Sequence, residues 1–296
     1  MFHTALSCLL ALTLGAAPVD GPDLSSVPAD LELPEMVEGS PAPGMRVRAT
    51  APGFEGGGAY HALYLPVDWS AGAKMPVFVE YPGNGGYTNK FGDVCGGVPE
   101  GCALGYGLSG GRGFVWLALP FVEVREGRPG VARKWWGDVA QTKRYCLAAI
   151  DDAVARFGGD PSRVILGGFS RGAIACNYIG LHDDEIAKRW CAFFCHSHYD
   201  GVIERWPYAG ADRATALERL RRLNGRPQWI SQEGSTAATE TYLRETGIVG
   251  DFVFRAIPFR NHSDRWVLRD LPERRAARQW LELKATSRTR ASKRGS

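Results

Sequence analysis

One short segment constrains the fold of this chain more than any other. An apolar run, Val164–Phe169, meets a segment typical of a helix, Arg171–Leu181, at Ser170. Glycines stand two residues before and two residues after this serine, at Gly168 and Gly172. A strand that turns directly into a helix leaves no room for side chains at these two positions. The segment therefore predicts a tight, strained turn that exposes the serine hydroxyl at the end of a strand.

Segments typical of strands and of helices alternate along most of the chain. Further predicted strands are Tyr60–Val67, Met75–Tyr81, Phe114–Phe121, Trp190–Cys195, Pro227–Gln232 and Phe252–Pro258. Further predicted helices are Asp138–Phe157, Thr215–Leu223, Thr236–Glu245 and Pro272–Leu283. This alternation predicts an α/β fold in which helices cover both faces of a mostly parallel sheet. The domain is expected over residues 45–284, after a linker or loosely held lead-in rich in proline and acidic residues over 18–44.

The two ends of the chain differ in composition from its middle. Ala5–Ala17 is an apolar run typical of a secretory signal peptide and too short to span a membrane. Residues 1–17 are therefore interpreted as a signal peptide, which predicts a secreted or periplasmic protein without stable membrane insertion after cleavage. Residues 285–296 are interpreted as a disordered basic tail. Five basic residues lie between Lys284 and Arg294, and the net charge of the chain is only +3. The rest of the chain therefore carries a net charge of about −2, so no nucleic-acid partner is expected.

The cysteines agree with an oxidising compartment. Of the seven, Cys8 lies inside the predicted signal peptide, which leaves six after cleavage. An even number suits disulfide formation outside the cytosol. Cys95 and Cys102 bracket a glycine-rich loop and are predicted to form a disulfide. The sequence has no C-x-x-C pair, so a structural zinc site is not expected.

A serine hydroxyl is a poor nucleophile and needs a general base. His262 stands in the loop after the last predicted strand, where the chain order serine, acid, histidine of this motif places the base. Glu233 directly follows the strand Pro227–Gln232 and is the first candidate for the acid that orients the histidine. Asp200, which follows an earlier strand, is the alternative. The predicted catalytic residues are therefore Ser170, His262 and Glu233 or Asp200.

Backbone N–H groups are predicted to bind the oxyanion that forms when the serine attacks a carbonyl. The N–H of Arg171 lies at the start of the helix and is one candidate donor. The second donor is expected from the glycine-rich loop after the strand Met75–Tyr81, with Asn84 or Gly85 as the candidates.

Two clusters of aromatic and histidine residues are candidates for contact with a substrate. In the run 196–200, two histidines and Asp200 suggest a metal site, but no further ligand has a clear spacing. We therefore predict no metal or cofactor and interpret His198 and Tyr199 as substrate-contacting residues. Trp135 and Trp136 are interpreted as a platform that stacks on a sugar or aryl group, with packing in the core as the alternative.

The block Asp160–Gly172 resembles the segment around the nucleophile in secreted polyhydroxybutyrate-depolymerase-like and feruloyl- or acetyl-xylan-esterase-like α/β-hydrolases. The resemblance implies an α/β-hydrolase fold and an exported serine carboxylesterase that acts on an ester of a polymer or oligomer. Two positions depart from these enzymes: Pro82-Gly83 stands where they usually have His-Gly, and Arg171 replaces a small residue. The Arg171 side chain is interpreted as a partner for a substrate carboxylate. The alternatives are a serine amidase or peptidase of the same fold and an inactive binding module.

Overall fold

The computed structural model of the protein describes residues 20–286, and a large sheet occupies its centre. The strands are β1 (Met36–Val37), β2 (Arg46–Ala49), β3 (His61–Tyr64), β4 (Met75–Tyr81), β5 (Tyr87–Thr88), β6 (Val94–Cys95), β7 (Val115–Ala118), β8 (Val122–Arg125), β9 (Arg128–Val131), β10 (Gly159–Phe169), β11 (Ala192–His196), β12 (Gln228–Glu233) and β13 (Phe252–Ile257). The α-helices are α1 (Leu104–Ser109), α2 (Val139–Phe157), α3 (Arg171–Tyr178), α4 (Asp184–Ala187), α5 (Arg213–Leu220), α6 (Ala237–Thr246) and α7 (Pro272–Thr286).

The main sheet has nine strands in the order β1-β2-β3-β7-β4-β10-β11-β12-β13. Strand β3 runs antiparallel to both of its neighbours, β2 and β7, and all other neighbouring pairs are parallel. The pairs β5–β6 and β8–β9 form two separate antiparallel hairpins. The predicted mostly parallel α/β sheet is therefore present. The carboxyl ends of five parallel strands lie at one edge of this sheet, those of β4, β10, β11, β12 and β13.

The central strands are mostly buried because the layers on both of their faces cover them. Six of the seven residues of β4 are buried, and only Met75 is partly exposed. Burial of consecutive residues is typical of a parallel strand with two covered faces. Two apolar clusters pack against the sheet, one including residues of α2 and α3 and the other residues of α7. The sheet thus forms a rigid base for the loops at its edge.

Helix α2 shows how local signals set the bounds of an element. The Asp138 side chain accepts a hydrogen bond from the N–H of Gln141 at 2.9 Å and caps the first turn. Gly158 ends the helix in the left-handed region, with φ of +73°. The buried residues between them, Tyr145 and Ile150 among them, recur at helical spacing along one face. The predicted range 138–157 therefore agrees with the structure to within one residue.

The interpretation of residues 18–44 as a loose linker is wrong for the part that the structure describes. Leu24 is only 4% exposed, and its N–H donates to Asn261 Oδ1 at 2.7 Å. Asp30 forms an ion pair with Arg274 at 2.6 Å. Strand β1 extends the main sheet next to β2. The proline-rich composition concealed an apolar anchor and a long-range ion pair that hold this segment on the domain.

The predicted terminal segments lie mostly outside the described residues. The signal peptide, residues 1–17, is wholly outside them, and of the predicted tail only residues 285 and 286 are described, as the end of α7. Within residues 20–286, none of the helices combines the length and the apolar character that a membrane span requires.

The predicted disulfide between Cys95 and Cys102 is not formed, and all six cysteines of the described range are free thiols. Cys95 pairs with Tyr87 in the small hairpin, and its sulfur lies beside Gly83, where an added Cβ would come within 2.9 Å. Cys102 lies at the end of a short 3-10 turn and is buried. The two side chains are thus packed as separate thiols, and burial raises the pKa of both.

Candidate active site

Ser170 lies between β10 and α3 in a strained backbone conformation, with φ of +55° and ψ of −113°. A Cβ on Gly168 would come within 2.2 Å of the Gly172 carbonyl. A Cβ on Gly172 would come within 2.0 Å of the backbone carbonyl oxygen of Tyr81. Neither position accepts a side chain, so the two glycines are required by close backbone approach. The turn holds the Ser170 side chain at the edge of the sheet, and the strain is typical of functional sites.

His262 lies within hydrogen-bond distance of this serine. Its Nε2 atom is 3.0 Å from Ser170 Oγ. The histidine stands in the loop after β13, and its ring contacts Phe169 and Tyr87, with ring centroids 4.8 and 5.0 Å apart. The backbone N–H of His262 donates to Asp93 Oδ2 at 2.9 Å. Packing on two sides and a hydrogen bond to the backbone therefore fix the ring against the serine.

Glu233, at the end of β12, lies on the other side of the histidine ring. Its Oε1 atom is 3.2 Å from His262 Nδ1. Burial by itself raises the pKa of this carboxyl, but the interaction with His262 outweighs it and lowers the pKa to about 2. Glu233 is therefore a carboxylate at neutral pH. A carboxylate at this place keeps the proton of His262 on Nδ1 and leaves Nε2 free to accept from Ser170.

Asp200, the alternative acid, is committed to another partner. Arg219 donates to its carboxylate through Nε at 2.8 Å and Nη2 at 3.0 Å, and Tyr208 donates at 3.2 Å. The Asp200 carboxylate therefore belongs to a buried ion pair with Arg219. The structure thus brings Glu233, and not Asp200, to His262.

Ser197 also contacts this group, and the sequence did not single it out. Its Oγ atom lies 2.8 and 2.7 Å from the two carboxylate oxygens of Glu233 and 2.8 Å from His262 Nδ1. The residue is fully buried and has φ of +90°. Its position between His196 and His198 was the only signal in the sequence, and that run suggested a metal site instead.

The residues of that suggested metal site have different surroundings. Trp266 Nε1 donates to His196 Nε2 at 3.0 Å, and His196 Nδ1 lies 3.1 Å from Ser231 Oγ. The same Nε2 atom lies 3.2 Å from the Ser263 carbonyl oxygen, and burial lowers the pKa of His196, so the ring is neutral at pH 7. Asp200 is held by Arg219. Within residues 20–286, no three His, Cys, Asp or Glu side chains are placed to hold a metal ion.

Two backbone N–H groups near Ser170 are available to an oxyanion. Across the described range, neither the N–H of Arg171 nor that of Asn84 donates to a protein acceptor. Asn84 follows β4, and its side-chain oxygen accepts from the N–H of Trp135 at 2.8 Å, which fixes the loop. Gly85, the other predicted donor, gives its N–H to the Arg133 carbonyl at 2.7 Å and is therefore not available.

The side chain of Arg171 does not face a substrate, and that part of the interpretation is wrong. The residue is 1% exposed, and its guanidinium donates to the carbonyls of Trp135 at 2.6 Å, Ala132 at 3.3 Å and Gly97 at 3.3 Å. It also lies over the Phe121 ring at 4.1 Å. Burial without a carboxylate partner lowers the pKa of Arg171 to about 9. The side chain ties two loops to the start of α3.

Two of the predicted substrate-contacting residues belong to the core. Trp136 is 5% exposed and stacks on Tyr178, with ring centroids 4.3 Å apart. Tyr199 is buried, and its hydroxyl donates to Gln228. Both rings continue the apolar packing under the site, which is the alternative that the sequence left open for Trp136.

The other two, Trp135 and His198, are half-buried, and His198 lies beside His262. The His198 ring is 5.2 Å from His262, and Trp206 is 5.5 Å from His198 and 5.4 Å from Trp135. Burial and the neighbouring His262 lower the pKa of His198 to about 4, so its ring is neutral at pH 7. The sequence did not single out Trp206. Together these rings form an aromatic wall, defined by Trp135, Trp206 and His198, that leads to His262.

No protein-family model matches this chain, and no curated protein matches it. Several solved structures are similar to this chain at low sequence identity. An acetyl ester-xyloside bifunctional hydrolase from Caldicellulosiruptor lactoaceticus is 11% identical over 83% of this chain and 98% of its own, with a TM-score of 0.52. Esterase 2 from Thermogutta terrifontis is 16% identical over 81% and 92% of the two chains, with a TM-score of 0.52. These similarities and the strand order show that the chain has the α/β-hydrolase fold.

The chain also matches part of longer structures. It covers 33% of a putative dipeptidyl aminopeptidase IV from Bacteroides ovatus, which covers 76% of this chain at 11% identity and a TM-score of 0.49.

Proposed function

We propose that this protein is a serine carboxylesterase that works through an acyl-serine intermediate. The observation that carries the proposal is the 3.0 Å contact between Ser170 Oγ and His262 Nε2, with the Glu233 carboxylate 3.2 Å from the other ring nitrogen. A nucleophile, a base and an orienting acid in hydrogen-bond reach, at a strained turn between strand and helix, are the parts that acyl transfer requires.

The proposed reaction begins when Ser170 Oγ attacks the carbonyl carbon of the ester. His262 Nε2 accepts the hydroxyl proton as the new C–O bond forms. The carbonyl oxygen becomes an oxyanion, and the N–H groups of Arg171 and Asn84 donate hydrogen bonds to it. The tetrahedral intermediate then collapses. The bond to the alcohol oxygen breaks, His262 returns the proton to that oxygen, and the acyl group stays on Ser170.

Water completes the reaction by the same steps in the second half. His262 Nε2 takes a proton from water as its oxygen attacks the acyl carbon, and the proton returns to Ser170 Oγ when the acid product leaves. Glu233 stabilises the imidazolium that forms in each half because it stays ionised, and it does not itself take up the proton. Every proton lost by a nucleophile is thus recovered by a leaving group.

The substrate proposed for this site is an ester linked to a polymer or carbohydrate, in line with the sequence resemblance. The aromatic wall of Trp135, Trp206 and His198 supports a flat or ring-shaped group next to His262, since aromatic rings stack on sugar and aryl faces. One of the structural neighbours is named as an acetyl ester-xyloside bifunctional hydrolase.

The protein is also proposed to be exported to the periplasm or the medium, which is tested by locating the protein in fractions of its native cells.

Labelling with a fluorophosphonate probe tests the proposed function. The probe should label the wild-type protein at Ser170 and leave Ser170→Ala unlabelled, while Ser162→Ala, which removes an exposed serine, should label like the wild type. A folded wild-type protein that resists labelling would instead indicate a binding module. Rates on p-nitrophenyl esters should exceed those on the matching anilides by several orders of magnitude, and a preference for the anilides would favour an amidase or peptidase.

A further inference from the structure

We propose that Ser197 is a fourth, positioning residue of the active site, which links Glu233 to His262 through its hydroxyl. This inference rests on the proposed function, since it assigns a role within the same catalytic group. The hydroxyl oxygen is 2.8 Å from His262 Nδ1, whereas the nearest Glu233 oxygen is 3.2 Å from that nitrogen. The histidine therefore has a closer neighbour in Ser197 than in the acid.

The hydrogens available at these atoms fix the direction of the bonds. The Ser197 hydroxyl has one proton and two acceptor sites, and the ionised Glu233 can only accept. Ser197 Oγ therefore donates to a carboxylate oxygen, at 2.7 or 2.8 Å, and accepts the N–H of His262 Nδ1. The Nδ1 proton is shared between Ser197 and Glu233, and the hydroxyl links the ring and the carboxylate in one chain.

The backbone at Ser197 is strained. A φ of +90° is unfavourable for any residue with a Cβ, and glycine adopts it freely. The N–H of Ser197 donates to the Ser231 carbonyl at 2.7 Å, so the neighbouring strand β12 holds the residue in register. Glu233 lies at the end of the same strand. A serine at a position that suits glycine indicates that the side chain, and not the turn, is what the site needs.

The link acts on His262 in both states of the reaction. In the resting state it keeps the proton on Nδ1 and the lone pair of Nε2 aimed at Ser170. When His262 becomes an imidazolium, the Ser197 oxygen and the Glu233 carboxylate both face its Nδ1–H. The bond from Nδ1 to the Ser197 oxygen then strengthens the bond that the Ser197 hydroxyl donates to Glu233, because linked hydrogen bonds polarise one another. No proton leaves Nδ1 or Ser197 in this scheme, so the hydroxyl positions and stabilises without taking part in bond exchange.

Ser197→Gly is the sharpest variant because it removes the hydroxyl and relieves the backbone strain together. We expect kcat on p-nitrophenyl esters to fall about tenfold or more because the base is less well positioned, with KM little changed and the melting temperature equal or higher. The acid limb of the kcat/KM profile should move to lower pH, because the imidazolium loses an acceptor. Ser197→Ala should lose as much kcat, and Ser162→Ala should match the wild type.

The proposal would be overturned by Ser197→Gly with wild-type kcat and an unchanged pH profile, or by a loss of kcat that only follows a loss of melting temperature. Proton NMR of protein labelled with ¹⁵N-histidine tests the contact without any turnover. The Nδ1 proton of His262 should resonate far downfield in the wild type and move upfield in Ser197→Gly; an unmoved signal would contradict the link. Absence of ester hydrolysis and of probe labelling in the wild type would instead count against the proposed function.

Discussion

Asp93 Oδ2 accepts a hydrogen bond from the backbone N–H of His262 at 2.9 Å, and this bond joins two loops that are far apart in the sequence. The other oxygen of Asp93 accepts from Asn261 Nδ2 at 2.9 Å, and Asn89 Nδ2 donates to Oδ2 at 2.7 Å. The small hairpin of β5 and β6, in which Asp93 lies, thus holds the histidine loop from outside. The same hairpin places Tyr87 against the His262 ring.

Replacing Asp93 with alanine should therefore lower kcat without unfolding the protein. The variant removes acceptors for His262 and Asn261, so the imidazole becomes free to drift from Ser170, and small misplacements of a base are costly. We expect a fall of roughly tenfold or more in kcat with normal circular dichroism. Asp152→Asn, on the far helix α2, is the control. Wild-type kinetics in Asp93→Ala would show that the hairpin does not position the histidine.

Glu233 and Asp200 should respond in opposite ways when each is replaced by its amide. Glu233→Gln keeps the shape but loses the charge that stabilises the imidazolium, and we expect kcat to fall on the order of 10³–10⁴-fold. Asp200→Asn breaks the buried pair with Arg219 and should cost roughly 3 kcal/mol of unfolding free energy, while the folded fraction stays active. Urea unfolding and steady-state kinetics measure both. A Glu233→Gln variant with near-normal kcat would remove Glu233 from the catalytic group.

Arg171→Met tests the structural role that the buried guanidinium has in place of substrate recognition. Loss of the bonds to the carbonyls of Trp135, Ala132 and Gly97 should lower the melting temperature and reduce kcat for neutral and acidic esters alike. The cause is a looser oxyanion loop, because Asn84 is fixed through Trp135. Loss of activity confined to substrates with a carboxylate would mean that the side chain binds substrate.

Glu80 gives the stability of the protein a dependence on pH. Burial and the nearby Asp264 raise the pKa of this carboxyl to about 7, against the hydrogen bonds from the N–H groups of Gly105 and Leu104. The unfolded chain has the ordinary value near 4.5. Between these two pH values the folded state binds more protons than the unfolded state, so the contribution of Glu80 to the unfolding free energy falls as the pH rises from about 4.5 to about 7.

The variant Glu80→Gln should remove that dependence. The difference in melting temperature, variant minus wild type, should rise between pH 5 and pH 8, because only the wild type has the Glu80 carboxyl to ionise. His61, whose pKa burial lowers to about 4, titrates in the opposite sense, but it does so equally in both proteins and cancels in the difference. A difference that is flat with pH would mean that Glu80 does not titrate in this range.

The parts of the site that the sequence predicted depend on local signals and on chain order. Asp138 and Gly158 mark the ends of α2, and Gly168 and Gly172 mark the turn at Ser170. Each of these features is predicted by a few residues that are adjacent in the sequence. His262 and Glu233 were predicted from the chain order serine, acid, histidine and from their places directly after the last two predicted strands. In the structure Ser170, His262 and Glu233 lie together there.

The parts that the sequence did not predict depend on contacts between distant residues. Nothing near Asp200 shows that Arg219 takes its carboxylate, and nothing near Arg171 shows that three carbonyls surround it. Ser197 was concealed because its role comes from a left-handed backbone and from two partners on other loops. The segment before residue 44 looked loose by composition, although Leu24 anchors it to the histidine loop.

The central claim is that Ser170 carries the acyl group, and mass spectrometry of the acid-quenched protein measures this directly. The protein is mixed with excess p-nitrophenyl acetate, stopped within milliseconds to seconds and digested. The account predicts one acetyl group on the peptide that contains Ser170, formed at the rate of a p-nitrophenol burst and absent in Ser170→Ala. Turnover of the ester with an unmodified Ser170, or an acetyl group that Ser170→Ala still acquires elsewhere at the same rate, would contradict it.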